Sequence, residues 1–160
     1  MWIAKRTDYA TRAVLALALA DDRKPMKLDE IARRTAVPRS VLEQVMPTLR
    51  SAGILRSERG PRGGYRLNRP AEEITLERVV RLFQGPLAPI GCATRRNPEP
   101  CPMSVDCSIR FVWEDVRDAI IGVLARTTFR DLAERAQGPW RNPSLIGAIG
   151  NSGPPQLEGV

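Results

Sequence analysis

RGPRGG, residues 59 to 64, constrains the fold more tightly than any other stretch of this chain. Three glycines and a proline within six positions cannot continue a helix or a strand, and the glycines supply the positive φ that a tight reversal needs. The segments on either side, ILRSE (54–58) and GYRL (64–67), carry β-favouring residues and read as two short strands of one ribbon. What precedes the ribbon is helical. Thr7 to Ala20 sets Ala10, Val14, Leu17 and Ala18 on one face, with Thr7 or Asp8 placed to cap its start. LDEIARRT follows as a short helix and stops at Ala36-Val37-Pro38. Pro38 suits the opening turn of a third helix, where its missing N–H costs nothing. Leu42, Val45, Met46 and Leu49 form the apolar stripe of that helix, SVLE (40–43) fits a capping box, and Gly53 ends it. Pro47 predicts a kink or an early end. Helix, short helix, turn, helix and glycine-tipped ribbon is the order of a winged helix-turn-helix. The predicted class is mainly α with a small β-wing.

After the ribbon, ITLERVVRLFQG reads as a helix capped by Thr75, with Leu76, Val79, Val80 and Phe83 facing inward. Residues 85–107 hold five prolines (86, 89, 98, 100 and 102) and form a long loop. Ile109, Val112, Val116, Ile120, Val123 and Leu124 then define a long amphipathic helix over 109–127. Too little apolar sequence remains to cover that stripe, which predicts a two-fold homodimer. TFRDLAER is a last short helix with a Thr128–Asp131 capping box. The division expected is 1–84 as DNA-binding unit, 85–108 as cysteine loop, 109–136 as dimerisation and terminal helices, and 137–160 as a disordered Gly/Pro-rich tail.

The net charge of +7 points to an anionic partner, nucleic acid first. In a helix-turn-helix the N-terminal residues of the second helix meet the base edges. Here they are Arg39, Ser40, Glu43 and Gln44. Glutamine can bond adenine twice and glutamate can accept from a cytosine amino group. The plainer alternative is that Ser40 and Glu43 only cap the helix. Five arginines (56, 59, 62, 66 and 69) against Glu58 within fourteen residues is lopsided for a solvated surface, and Arg59 and Arg62 flank the tip that a narrow minor groove would attract. Arg23, Lys24 and Lys27 are candidate phosphate contacts.

All three cysteines lie in GCATRRNPEPCPMSVDC, residues 91–107, and the chain has no histidine. Arg95 and Arg96 favour thiolate character in that loop. Structural zinc prefers paired short spacings rather than C-x8-C-x5-C, a disulfide would leave one thiol over, and an iron–sulfur cluster accepts irregular spacing but needs a fourth ligand. Inert thiols are the remaining alternative. No nucleophile–histidine pair, phosphate loop or dinucleotide fingerprint is present, so an enzyme is not expected. No apolar run approaches the length of a membrane span and no signal peptide is evident, so the expected location is cytoplasmic, with reduced thiols.

KRTDYATRAVLALA, LDEIARRTAVPRSVLEQV, RGPRGGYRLNRPAEEITLERVV and the three-cysteine loop, in that order over residues 1 to about 136, resemble the Rrf2 family of bacterial winged-helix repressors and activators, the group that includes IscR, NsrR and RirA. The resemblance implies a homodimer with crossed long helices, a cluster held by Cys92, Cys101 and Cys107, and DNA binding controlled by the state of that cluster. It implies DNA contacts from Ser40, Glu43, Gln44 and Arg59. It also implies Asp8 of the second copy as the fourth ligand, a hard and therefore labile oxygen donor on a soft cluster. The plainer role of Asp8 is a favourable charge at a helix start. A 4Fe–4S cluster is favoured, with 2Fe–2S as the other type. The alternative function is a cluster-free thiol-redox or zinc-containing winged-helix regulator that acts through a protein partner.

Overall fold

The structure, a computed structural model, describes residues 3–20, 24–103 and 107–136. The predicted tail over 137–160 and Arg23 lie outside the described residues. The elements are α1 (Lys5–Ala18), α2 (Leu28–Thr35), α3 (Arg39–Ser51), β1 (Leu55–Glu58), β2 (Gly64–Leu67), α4 (Leu76–Gln84), α5 (Ser108–Arg126) and α6 (Phe129–Ala136), with 3-10 turns at Ala71–Glu73 and Gly91–Ala93. This is the mainly helical fold with a small wing that the pattern predicts.

The helix-turn-helix turn is a local necessity. Ala36 closes α2 in the left-handed region (φ 53°), and Pro38 keeps the preceding Val37 out of helical conformation. Val37 is buried there, so the turn also feeds the core. α3 ends in a Schellman arrangement: Gly53, at φ +68°, donates to the Arg50 carbonyl and Ile54 to that of Leu49. β1 and β2 pair antiparallel with Leu55 opposite Leu67 and Glu58 opposite Gly64. Met26, from the α1–α2 connection, bridges to Tyr65 through two backbone bonds of 2.9 and 2.8 Å and acts as a third rung. A side chain at Gly64 would collide with the Met26 backbone, and one at Gly63 with the Glu58 carbonyl. Those glycines serve close approach; positive φ at the tip is confined to Gly60.

The core gathers Val14 and Leu17 of α1, Ile31 of α2, Leu42, Val45, Met46 and Leu49 of α3, and Ile54 and Leu55 of the wing. α6 lies beyond α5 in the chain, yet it folds back onto this body. Leu76 donates to the Thr127 carbonyl and Phe129 to that of Ile74, and Phe129 is fully buried. Its start carries the expected capping box: Asp131 N–H donates to the Thr128 hydroxyl, and Asp131 accepts from Thr128 N–H at 2.8 Å. The Thr128 bonds hold the Asp131 carboxyl below its ordinary pKa.

Three local expectations are corrected. Neither Thr7 nor Asp8 caps α1, which begins at Lys5. Gln84, far along the chain, accepts from the Ala4 N–H at 3.1 Å and from the buried Thr7 hydroxyl at 3.2 Å. Ser40 and Glu43 form no capping box, because the N-cap of α3 is Pro38, two residues earlier, and Ser40 is already inside the helix. Pro47 does not end α3, which continues to Ser51. The proline is exposed, so its ring meets solvent rather than a packed neighbour.

Candidate nucleic-acid interface and cysteine site

Arg39, Ser40, Glu43 and Gln44 are all exposed on the first turns of α3. Arg39 donates to Glu43 at 3.0 Å and also pairs with Asp29 of α2. Both carboxylates hold its guanidinium above its ordinary pKa, Asp29 foremost. Arg39 therefore staples the two helices together while Ser40 and Gln44 stay open. Sequence spacing had no means of revealing this staple, since Asp29 and Arg39 sit on different helices.

The distribution of ion pairs shows where the excess positive charge resides. On the flanking helices several basic groups are neutralised one turn away, as in Asp8–Arg12, Glu77–Arg81, Arg110–Glu114 and Arg130–Glu134. On the wing only Arg66 is matched, by Glu58, while Arg69 reaches Glu73 at 3.8 Å. Arg56, Arg59 and Arg62 are exposed and have no ion pair among the described residues. Lys24 and Lys27 are exposed beside them in the α1–α2 connection. Unpaired cations on the wing next to an open helix N-terminus make a surface suited to phosphates and base edges.

Cys92 sits in the 3-10 turn Gly91–Ala93, and Cys107 is the residue before α5. Both thiols lie within electrostatic reach of Arg110. All three cysteines are free and half-buried. α5 grips the loop between the first two. Arg117, the one buried residue of α5, donates from Nη1 to the Ala93 carbonyl at 2.6 Å and from Nε to Asp118 at 2.7 Å. Asp118 in turn holds Arg95 at 3.1 Å. Arg117 and Arg95 together pull the Asp118 carboxyl down to about 2. Arg95, expected beside the thiols, is thus engaged with α5, and nothing in the sequence singled out Arg117 or Asp118. Among the described residues the cysteines and Asp8 do not converge into one metal-binding group within a single protomer. Asp8 lies in the first turn of α1, about half exposed and paired with Arg12 at 2.9 Å. By chemistry three soft thiolates on one loop suit an iron–sulfur cluster, which needs a fourth ligand besides.

Residues 3–135 match the Rrf2 family, described as an iron-dependent transcriptional regulator. The chain belongs to the Rrf2 family. It is 31% identical to the regulator CymR of Bacillus subtilis over 86% of this chain and 94% of that protein. It is also 31% identical to IscR of Photorhabdus laumondii, over 86% and 82%. The solved structure of CymR, the global cysteine regulator of B. subtilis, superposes with a TM-score of 0.73 at 30% identity, covering 84% of this chain and 97% of that one. IscR of T. potens superposes at 0.69 with 27% identity, over 96% and 94%. This Rrf2 protein is accordingly a DNA-binding winged-helix transcriptional regulator, and its relatives are named as regulators rather than enzymes. Among the described residues no helix is long and apolar enough to cross a membrane.

Proposed function

We propose that this regulator binds its operator as a homodimer and that an iron–sulfur cluster sets its affinity. Cys92, Cys101 and Cys107 hold the cluster, with Asp8 of the second copy as the weaker fourth ligand. The observation that carries this reading is the confinement of every thiol to one histidine-free loop that α5 grips at Ala93 and Arg95. When bound, the cluster supplies an iron centre responsive to redox state, iron supply or nitric oxide. The chain's own residues do the rest. Cys92 and Cys107 anchor the two ends of the loop beside Arg110. Asp8 trades its exposed Arg12 contact for a labile bond. Three thiolates and an oxygen suit 4Fe–4S, with 2Fe–2S as the other type. α5 carries loop movement to the dimer seam, where Ile109, Val112, Val116 and Val123 stand between 37% and 57% exposed. Arg39, Ser40, Glu43 and Gln44 read bases, while Arg59 and Arg62 enter the minor groove or hold phosphates.

Similarity to CymR, the global cysteine regulator of B. subtilis, favours a second reading in which the thiols act without a cluster or with zinc, through a protein partner. An anaerobic absorption spectrum with iron and sulfide analysis separates the two. Near-stoichiometric sulfide, lost in single Cys→Ala variants and retained but shorter-lived in Asp8→Ala, supports the cluster. Zinc without sulfide, or no metal with unaltered DNA binding in the triple cysteine variant, overturns it.

A further inference from the structure

A cleft of about 500 Å³ opens where α4, the 85–96 segment and α5 meet. Its apolar side is formed by Leu87 and Ile121, and its polar side by Arg81 of α4, Arg95 and Arg96 of the loop and Arg117 of α5. Four guanidiniums from three separate elements converge on one concavity. Arg81 is matched by Glu77 at 2.5 Å, and Arg95 and Arg117 share the single carboxylate of Asp118. Arg96 has no ion pair among the described residues. The four arginines outnumber the carboxylates paired with them, Glu77 and Asp118, while Glu114 and Asp115 act on Arg117 from along α5.

Arg117 sharpens this reading. It is only 9% exposed, a costly place for a guanidinium unless its donors are used. Its Nε and Nη1 are engaged by Asp118 and the Ala93 carbonyl. Its Nη2 has no partner among the described residues, and the side chain lines the cleft. A single guanidinium nitrogen left open, on a side chain held rigidly through its other two nitrogens, is a preorganised donor for one oxygen of an oxyanion.

We propose that this cleft binds a small dianion on a short apolar body, of the phosphate-monoester or dicarboxylate class. The oxyanion is taken by Arg117 and Arg96, with Arg81 closing from α4. The apolar body rests on Leu87 and Ile121. Such a ligand ties the cysteine loop to α4 and hence to the DNA-binding body, so it supplies an input to the regulator that needs no thiol chemistry. The inference does not depend on the cluster.

Isothermal titration of the full-length protein, as purified and as the triple Cys→Ala variant, with n-propyl phosphate or with succinate at matched ionic strength, tests this. Saturable binding of one probe in both proteins is expected, and which probe binds identifies the class. Arg96→Ala and Arg81→Ala, both at exposed positions, should each weaken binding by about tenfold, the scale of one charge-assisted hydrogen bond. Three results overturn the proposal: no saturable binding of either probe at millimolar concentration, unchanged affinity in both arginine variants, or loss of DNA affinity and salt dependence in those variants without probe binding. The last would make the cleft a contact for the DNA backbone.

Discussion

The winged-helix body and the cysteine loop are held by different forces. Ile31, Leu42, Val45, Met46, Leu49 and Ile54 are fully buried in the body, and apolar contact secures it from many directions at once. Among its described residues the loop from 85 onward is attached through Leu87 and Ala93, which are buried, and through the Arg117–Asp118–Arg95 ion network. Apolar packing is cooperative and hard to undo locally, whereas a few charged bonds can be made and broken without unfolding the rest. A regulator needs both: a reading head whose geometry does not drift, and a loop whose anchorage answers to chemistry.

The contrast can be broken first at α5, which touches both regions. Replacing Val116 and Ile120 together by Asp should abolish the homodimer, giving monomer or aggregate in sedimentation velocity, while helical content is largely kept. A dimer that survives would show that α5 is not the seam. Within the body, Leu42→Ala should cost roughly 2–5 kcal/mol in denaturant unfolding, since a fully buried leucine leaves a cavity. A loop substitution such as Arg96→Ala should change stability by no more than about 0.5 kcal/mol, as surface changes usually do. Equal losses would erase the distinction between the regions.

The reading head can be dissected more finely. Arg59→Ala should flatten the salt dependence of operator binding by roughly one unit if its contact is a phosphate. Glu43→Ala should instead relax base preference, and it also frees Arg39 from one of its two acids. Footprinting and fluorescence anisotropy across a salt series check both. If both variants match the parent protein, the reading surface lies elsewhere.

The smallest effect concerns the ion network. The Asp118 carboxyl is depressed from 3.8 to about 2 in the folded protein, because Arg117 and Arg95 favour its charged form. A depressed carboxyl stabilises the fold fully above its unfolded value near 3.8, and that contribution is lost as pH falls through about 2. Asp118→Asn should therefore melt slightly below the parent protein at pH 5, with the gap closing toward pH 2. A gap independent of pH would assign the effect to packing.

Most of the body was legible along the chain because its determinants are local. Apolar spacing placed α3 and α4, Pro38 and Gly53 bounded α3, and the glycines of RGPRGG required the ribbon. Thr75 and Thr128 cap α4 and α6 through neighbours three residues away. Reading failed where a distant residue did the local task. Gln84 displaced Thr7 and Asp8 as the group that bonds the start of α1, and Glu43, expected to box with Ser40, pairs with Arg39 instead.

The order of elements, the wing, the exposed α3 N-terminus and the gathering of every thiol into one segment all follow from local chemistry along the chain. Helix periods, turn chemistry and residue identity suffice for those, each acting over a few positions. Long-range packing decided instead that α6 returns to the core through Phe129, that Arg56, Arg59 and Arg62 of the wing meet no acid among the described residues, and that Arg117 reaches the cysteine loop to build an arginine-lined cleft. Those outcomes depend on which side chains meet across long stretches of chain, and no local spacing encodes a meeting between residues 24 positions apart.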